Sequence, residues 1–207
     1  MKIPLHLNPC EECRRERIIW INLHDTKFDE KCECGNTTPA YLSSDISIGY
    51  KLLYRSNHEC RFNKDFPLSI VFSATAFDCE LTRLHNKWAA IGKIENEITS
   101  QELDKILRSY KGIIEKIQKT SELMYPAGFN NFAKTTPKIN EIIEGGFPSL
   151  DVDSLAKDIQ QHLFWPRNSI LHTGKNDYKE DDAIKAYNIS TLGLLVLNSL
   201  DNYKKMK

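Results

Sequence analysis

The chain has 207 residues, with 28 Lys+Arg against 28 Asp+Glu, so it carries no net charge. That length suits one full domain with a small appendage and is enough to bury a core. Neutrality excludes a whole-chain basic field for nucleic acid, so any such binding has to come from a local patch.

Hydrophobic residues at 41% and charged residues at 27% form an ordinary globular balance. No stretch approaches the roughly 20 apolar residues of a membrane span; the run near Leu192–Leu197 is short and interrupted. The opening MKIPLHLNPCEEC has no long apolar region, so no signal peptide is expected. The expected setting is the cytoplasm, where clustered cysteines serve metals or catalysis more often than disulfides.

In chain order, residues 1–40 read as a small β module and residues 41–207 as a helical domain, so the fold class is mainly α. Four of the six cysteines fall in the first module. Between them Arg17–Leu23 is rich in β-branched and aromatic residues and predicts a strand. Residues 39–65 are less legible, with a helix over Ile46–Arg55 behind a Ser44-Asp45 cap as the favoured reading.

From Pro67 the pattern is helical. Leu68, Val71, Phe72, Thr75, Cys79, Thr82 and Asn86 form one stripe; Ile70, Phe77, Leu81, Leu84 and Trp88 widen it. Such girth suits a central helix.

Thr99 followed by Glu102 predicts a capping box. Leu103, Ile106, Leu107, Tyr110, Ile113, Ile114 and Ile117 continue that helix. Residues 125–138, with Pro126, Gly128 and Pro137, read as a long loop. A short helix over Ile139–Glu144 is expected to stop at Gly145-Gly146. Another starts at Asp151 or Asp153 and carries Leu155, Ile159, Leu163 and Phe164. Pro166 predicts a new helix start and Gly174 an interruption. The acidic run to Asp182 then leads a long final helix.

Cys10 and Cys13 form one close pair, Cys32 and Cys34 a second. Two close thiolate pairs suit a tetrahedral structural zinc ion, each pair gripping the metal from one turn. Four sulfur ligands leave no open position, which argues against a catalytic metal. His6 and His24 are alternatives for one ligand and otherwise ordinary surface histidines. Cys60 and Cys79 stand alone, and Cys79 reads as a small core residue. His58, His85 and His162 read as ordinary surface or partly buried residues.

Residues 166–174 read Pro-Arg-Asn-Ser-Ile-Leu-His-Thr-Gly. On a helix Asn168 and His172 share a face. Arg167 and His172 lie roughly 140° apart by the 3.6-residue period. Histidine moves protons near neutral pH, and arginine offers a rigid fork to phosphate oxygens. A helix start adds its own attraction for phosphate.

This Arg-Asn-x-x-x-His run, placed between an amphipathic helix and a final apolar one, resembles the motif of the HEPN superfamily. The likeness covers roughly residues 66–203 in helical organisation. It implies a helical bundle that dimerises so that two motifs form one composite site. It further implies metal-independent RNA cleavage in which the 2′-hydroxyl attacks the adjacent phosphate. Carried over, His172 is the general acid or base, Arg167 stabilises the phosphorane, and Asn168 positions the motif or the phosphate. Glu80 falls where family members often carry an acidic residue, although a solvated charge or ion pair is the favoured reading of it. Some HEPN toxins carry a tyrosine two residues after the histidine. Gly174 stands there, which sets aside the subtype silenced by modification of that tyrosine.

The sequence therefore leads to a dimeric endoribonuclease, a toxin or anti-phage effector, with RNA as substrate, structural Zn2+ and room for a regulatory or antitoxin partner. A non-catalytic nucleic-acid or protein binding module, with the zinc ribbon as recognition element, is the alternative. In it Trp20, Phe28 and Tyr41 would stack on bases, although hydrophobic support of the small module is the favoured reading of these residues. A DNA-binding regulator led by the zinc module is a third reading. Arg14, Arg15 and Arg17 favour it, but no dense basic cluster accompanies the cysteines.

Overall fold

The computed structural model describes residues 2–7, 12–13, 17–22, 27–31, 34–35, 37–41, 47–94, 111–146 and 151–205. The described chain is mainly helical. Two antiparallel strand pairs precede the helices. β1 (Lys2–Leu7) pairs with β2 (Arg17–Asn22), and β3 (Lys27–Lys31) pairs with β4 (Thr37–Tyr41). Among the described residues no helix is long and apolar enough to cross a membrane.

α1 (Ile48–His58) starts behind Ser47. It begins two residues later than its sequence pattern predicts, and Ser44 and Asp45 lie outside the described residues. A π-helical turn, Glu59–Asn63, and a left-handed Lys64 then reverse the chain. α2 (Phe66–Ile94) follows, capped by Asp65, whose Oδ1 accepts from the Leu68 N–H at 3.0 Å.

α1 and α2 meet through small residues, because only these let two backbones approach closely. Ser56 Oγ donates to the Ser69 carbonyl at 2.8 Å and lies 2.7 Å from Ser73 Oγ. A Cβ on Gly49 would stand 2.9 Å from the Ala76 carbonyl oxygen.

The stripe that spacing selects first on α2 is the outer one: Thr75, Cys79 and Thr82 are half-buried and Asn86 is exposed. The residues that widen it, Ile70, Phe77, Leu81, Leu84 and Trp88, face the core. The inner face also carries Ser69, Ser73, Ala74 and Ala76, whose small side chains give no apolar signal in the sequence.

α3 (Ile113–Glu122) begins after a bend at Lys111-Gly112, so the predicted helix from Thr99 does not run unbroken to Ile117. Thr99, Glu102, Leu103, Ile106, Leu107 and Tyr110 lie outside the described residues. The predicted loop at 125–138 instead contains α4 (Phe129–Thr135) and the start of α5 (Pro137–Gly146). Tertiary contact explains the difference. Phe132 packs edge-on against Tyr125 and Tyr203, with centroids at 5.2 and 5.7 Å, and Phe129 is buried against Phe77. α5 includes Gly145 and Gly146 rather than stopping before them.

Asp151, not Asp153, caps the next segment: its side chain accepts from the Asp153 N–H. A 3-10 turn, Val152–Ser154, leads into α6 (Leu155–Ile159), a π turn over Gln160–Phe164, α7 (Trp165–Thr173) and finally α8 (Glu180–Lys205). α8 is buried along its middle and lies against α2. Gly193 makes room for the Phe77 ring, whose edge would stand 2.7 Å from a Cβ there. Phe77, fully buried, also meets Phe129 and Phe164 edge-on at 6.5 and 6.4 Å. Burial of one such ring stabilises by roughly 1.5–3 kcal/mol.

Candidate active site

The segment carrying Arg167, Asn168 and His172 is not a fresh helix start. The backbone stays right-handed helical through Phe164 and Trp165, and the Trp165 N–H donates to the Gln160 carbonyl across the π turn. In a regular helix Pro166 would lack a donor and press on the carbonyl four residues back. The wider turn relieves that crowding, which is a physical reason for the π geometry here. The expected open N-terminus, with bare N–H groups facing a phosphate, is therefore replaced by a helix that continues from α6. Gly174 ends α7 in the left-handed conformation at φ 66°.

α7 buries none of its residues. Trp165 and Leu171 are 59% and 55% exposed, and Asn168 and His172 are exposed as well. Trp165, Asn168 and His172 fall within an arc of about 60° by the helical period. Among the described residues neither Asn168 nor His172 has a hydrogen-bond or ion-pair partner.

Arg167 points elsewhere. It is half-buried, and its guanidinium carbon lies 6.0 Å from the centre of the Phe164 ring. Its Nε is out of contact with solvent and has no acceptor among the described residues. It also has no ion-pair partner among the described residues. Its charge reaches the Cys79 thiol on α2. Burial, then Asp78, push that thiol up, while Lys116 and Arg167 act the other way. Within one chain the motif thus splits: Asn168 and His172 face outward, whereas Arg167 lies against the side of α7 that packs on α2.

Glu80 does not join the motif. It is 1% exposed and is ion-paired with Arg83 through Oε1, while its Oε2 has no partner. It is an ion pair, as one reading of the sequence held, but a buried one. It faces Tyr50, whose phenol is pushed far above its ordinary value by burial and then by the Glu80 charge. The Tyr50 hydroxyl accepts from Asn198 Nδ2 at 2.8 Å.

His85, His162 and His58 sit apart from the motif. His85 is buried, deeper than expected, with Nδ1 3.1 Å from Thr120 Oγ1. His162 is half-buried, and burial followed by Lys185 pushes its imidazole below the ordinary value. His58 stacks beside Phe62 with ring centres 5.1 Å apart. Cys79 is only half-buried, not a core residue, whereas Cys60 is in the core.

Cys10 and Cys32 lie outside the described residues. Cys13 is half-buried and Cys34 exposed, each in a described turn. Among the described residues no group of three or more His, Cys, Asp and Glu side chains is placed to hold a metal.

Sequence reasoning missed one further polar cluster. Asp201 accepts from Lys87 Nζ at 2.5 Å, from Trp88 Nε1 at 2.8 Å and from Lys205 Nζ at 2.8 Å. Burial pushes its carboxyl up, but the bonds from Lys205 and Lys87 outweigh this and hold it below the ordinary value. Partners more than a hundred residues apart leave no local pattern that would reveal them.

Comparison of the chain with protein-family models, with curated proteins and with solved structures finds no match.

Proposed function

We propose that the protein is a metal-independent endoribonuclease of HEPN type that acts as a dimer in the cytoplasm, as a toxin or anti-phage effector. The observation that carries the reading is the state of Arg167: among the described residues its guanidinium has no counter-charge and its desolvated Nε–H has no acceptor. An orphaned donor of this kind calls for an explanation, and an anion is the natural acceptor. Among the described residues His172 and Asn168 have no side-chain partner and stand on an exposed helix, where they are free to meet a substrate.

The divergence of Arg167 and His172 supports a composite site. Two copies of α7 meeting through Trp165 and Leu171 would bring an arginine from one copy toward a histidine from the other. In the reaction His172 takes the proton of the ribose 2′-hydroxyl, whose oxygen attacks the adjacent phosphorus. Arg167 offsets the added charge on the phosphoryl oxygens. The bond to the 5′-oxygen breaks, that oxygen takes up a proton, and a cyclic phosphate end remains.

In the same proposal Cys10, Cys13, Cys32 and Cys34 hold a structural zinc ion. In chain order the first pair falls between β1 and β2 and the second between β3 and β4. A metal gripped there would join two strand pairs in a segment too short to build a core by itself.

The test is cleavage of a mixed RNA pool in EDTA by the wild type, Arg167→Ala and His172→Ala. Only the wild type is expected to cleave, leaving cyclic phosphate ends, and mixing the two variants is expected to restore cleavage. Wild-type protein that binds RNA but cleaves none would replace this reading with a binding module.

A further inference from the structure

The outer stripe of α2 leads away from the candidate site. Cys79, within electrostatic reach of Arg167 and Lys116, is followed at helical spacing by Thr82, Arg83 and Asn86, with Lys87 on one flank. Lys116 of α3 closes the other flank, its Nζ 2.7 Å from Asp78 Oδ1 and 2.6 Å from Thr82 Oγ1. Lys205 of α8 joins Lys87 on the shared Asp201. From Cys79 to Lys87 the helix rises by about 12 Å.

The charges here are stratified by depth. The carboxylates of Glu80 and Asp201 are buried, whereas their partners Arg83 and Lys205 are 43% and 49% exposed. Among the described residues Asp78 is the half-exposed acid of the group. Arg83 uses Nε and one N–H of Nη2 on Glu80, which leaves guanidinium donors for a ligand. Lys87 and Lys205 share one carboxylate, and among the described residues Arg167 has none. A ligand approaching from solvent therefore meets the cationic layer first. In an otherwise neutral protein this is a local basic patch of the kind RNA requires.

Resting on the ribonuclease reading, we infer that the outer face of α2, from Arg167 through Arg83 to Lys87 and Lys205, is the path of the single-stranded RNA backbone leading to the site. Thr82 and the exposed Asn86 lie between the cations and are able to donate to phosphate oxygens.

The test measures binding of a labelled oligouridine to the full chain in EDTA at several salt concentrations. Asn86→Glu places a carboxylate in the path at an exposed position. Lys205→Gln removes a cation while Lys87 still neutralises Asp201. Lys134→Gln, on α4, is the control for the same loss of charge elsewhere. The two path variants should weaken binding by roughly fivefold or more, and Lys205→Gln should lower the salt slope by about one unit. Thermal melting checks that each variant folds. If both path variants bind like the control while the wild type binds and cleaves RNA, the path is wrong and the ribonuclease reading stands. If the wild type neither binds nor cleaves RNA, both fall together.

Discussion

The Glu80–Arg83 pair predicts an asymmetry that the sequence does not reveal. The carboxylate is 1% exposed and the guanidinium 43% exposed. Arg83→Met removes the counter-charge of a buried anion. Such a loss costs about 3–5 kcal/mol when the site is fully closed. Because Arg83 itself borders solvent, water partly replaces it, and about 3 kcal/mol is expected. For a chain of this length that lowers Tm by roughly 10 °C. Glu80→Gln keeps the shape and leaves a guanidinium that turns to water, so about 1 kcal/mol or less is expected. The double variant should be more stable than Arg83→Met alone, because the stranded charge is gone. Urea unfolding of the two single variants and the double variant, read as a double-mutant cycle, measures the difference. A Glu80→Gln loss equal to or larger than that of Arg83→Met would refute the argument. So would a double variant in which the two losses simply add.

Gly193→Ala should gain about 1 kcal/mol of helix propensity yet lose more by pressing on the Phe77 ring, for a net cost of about 1–2 kcal/mol in urea unfolding. Asp201 should help set the acid limit. Its folded carboxyl lies below the ordinary 3.8, so its contribution is complete above that value and is lost as pH falls through the lower folded value. Asp201→Asn should therefore be less stable than wild type at neutral pH, with the gap narrowing in acid when melting is followed against pH. His162 is displaced in the same direction, so its ring protons should titrate below 6.5 by NMR; a midpoint above 6.5 contradicts its burial and its nearness to Lys185. Cys32→Ser should lose bound zinc by elemental analysis, and unchanged zinc content would overturn the ligand assignment.

The start of α2 near Pro67, the long final helix α8, a helix start at Asp151 or Asp153 and the break at Gly174 were legible in the sequence, because local periodicity, capping and backbone preference act over a few residues; the fresh start expected at Pro166 was not, because the helix runs on through a π turn. The sequence also located Arg167, Asn168 and His172 on one helix and implied that Arg167 and His172 diverge. Tertiary structure decided which face of α2 points inward, because buried serines and alanines carry no apolar signal. It also turned residues 125–138 into helix, since Phe129 and Phe132 are held by rings from distant parts of the chain. The depth of Glu80, the shared partners of Asp201 and the uncompensated state of Arg167 have the same origin. Each depends on which distant side chains arrive beside it, and that is set by packing rather than by neighbours in sequence.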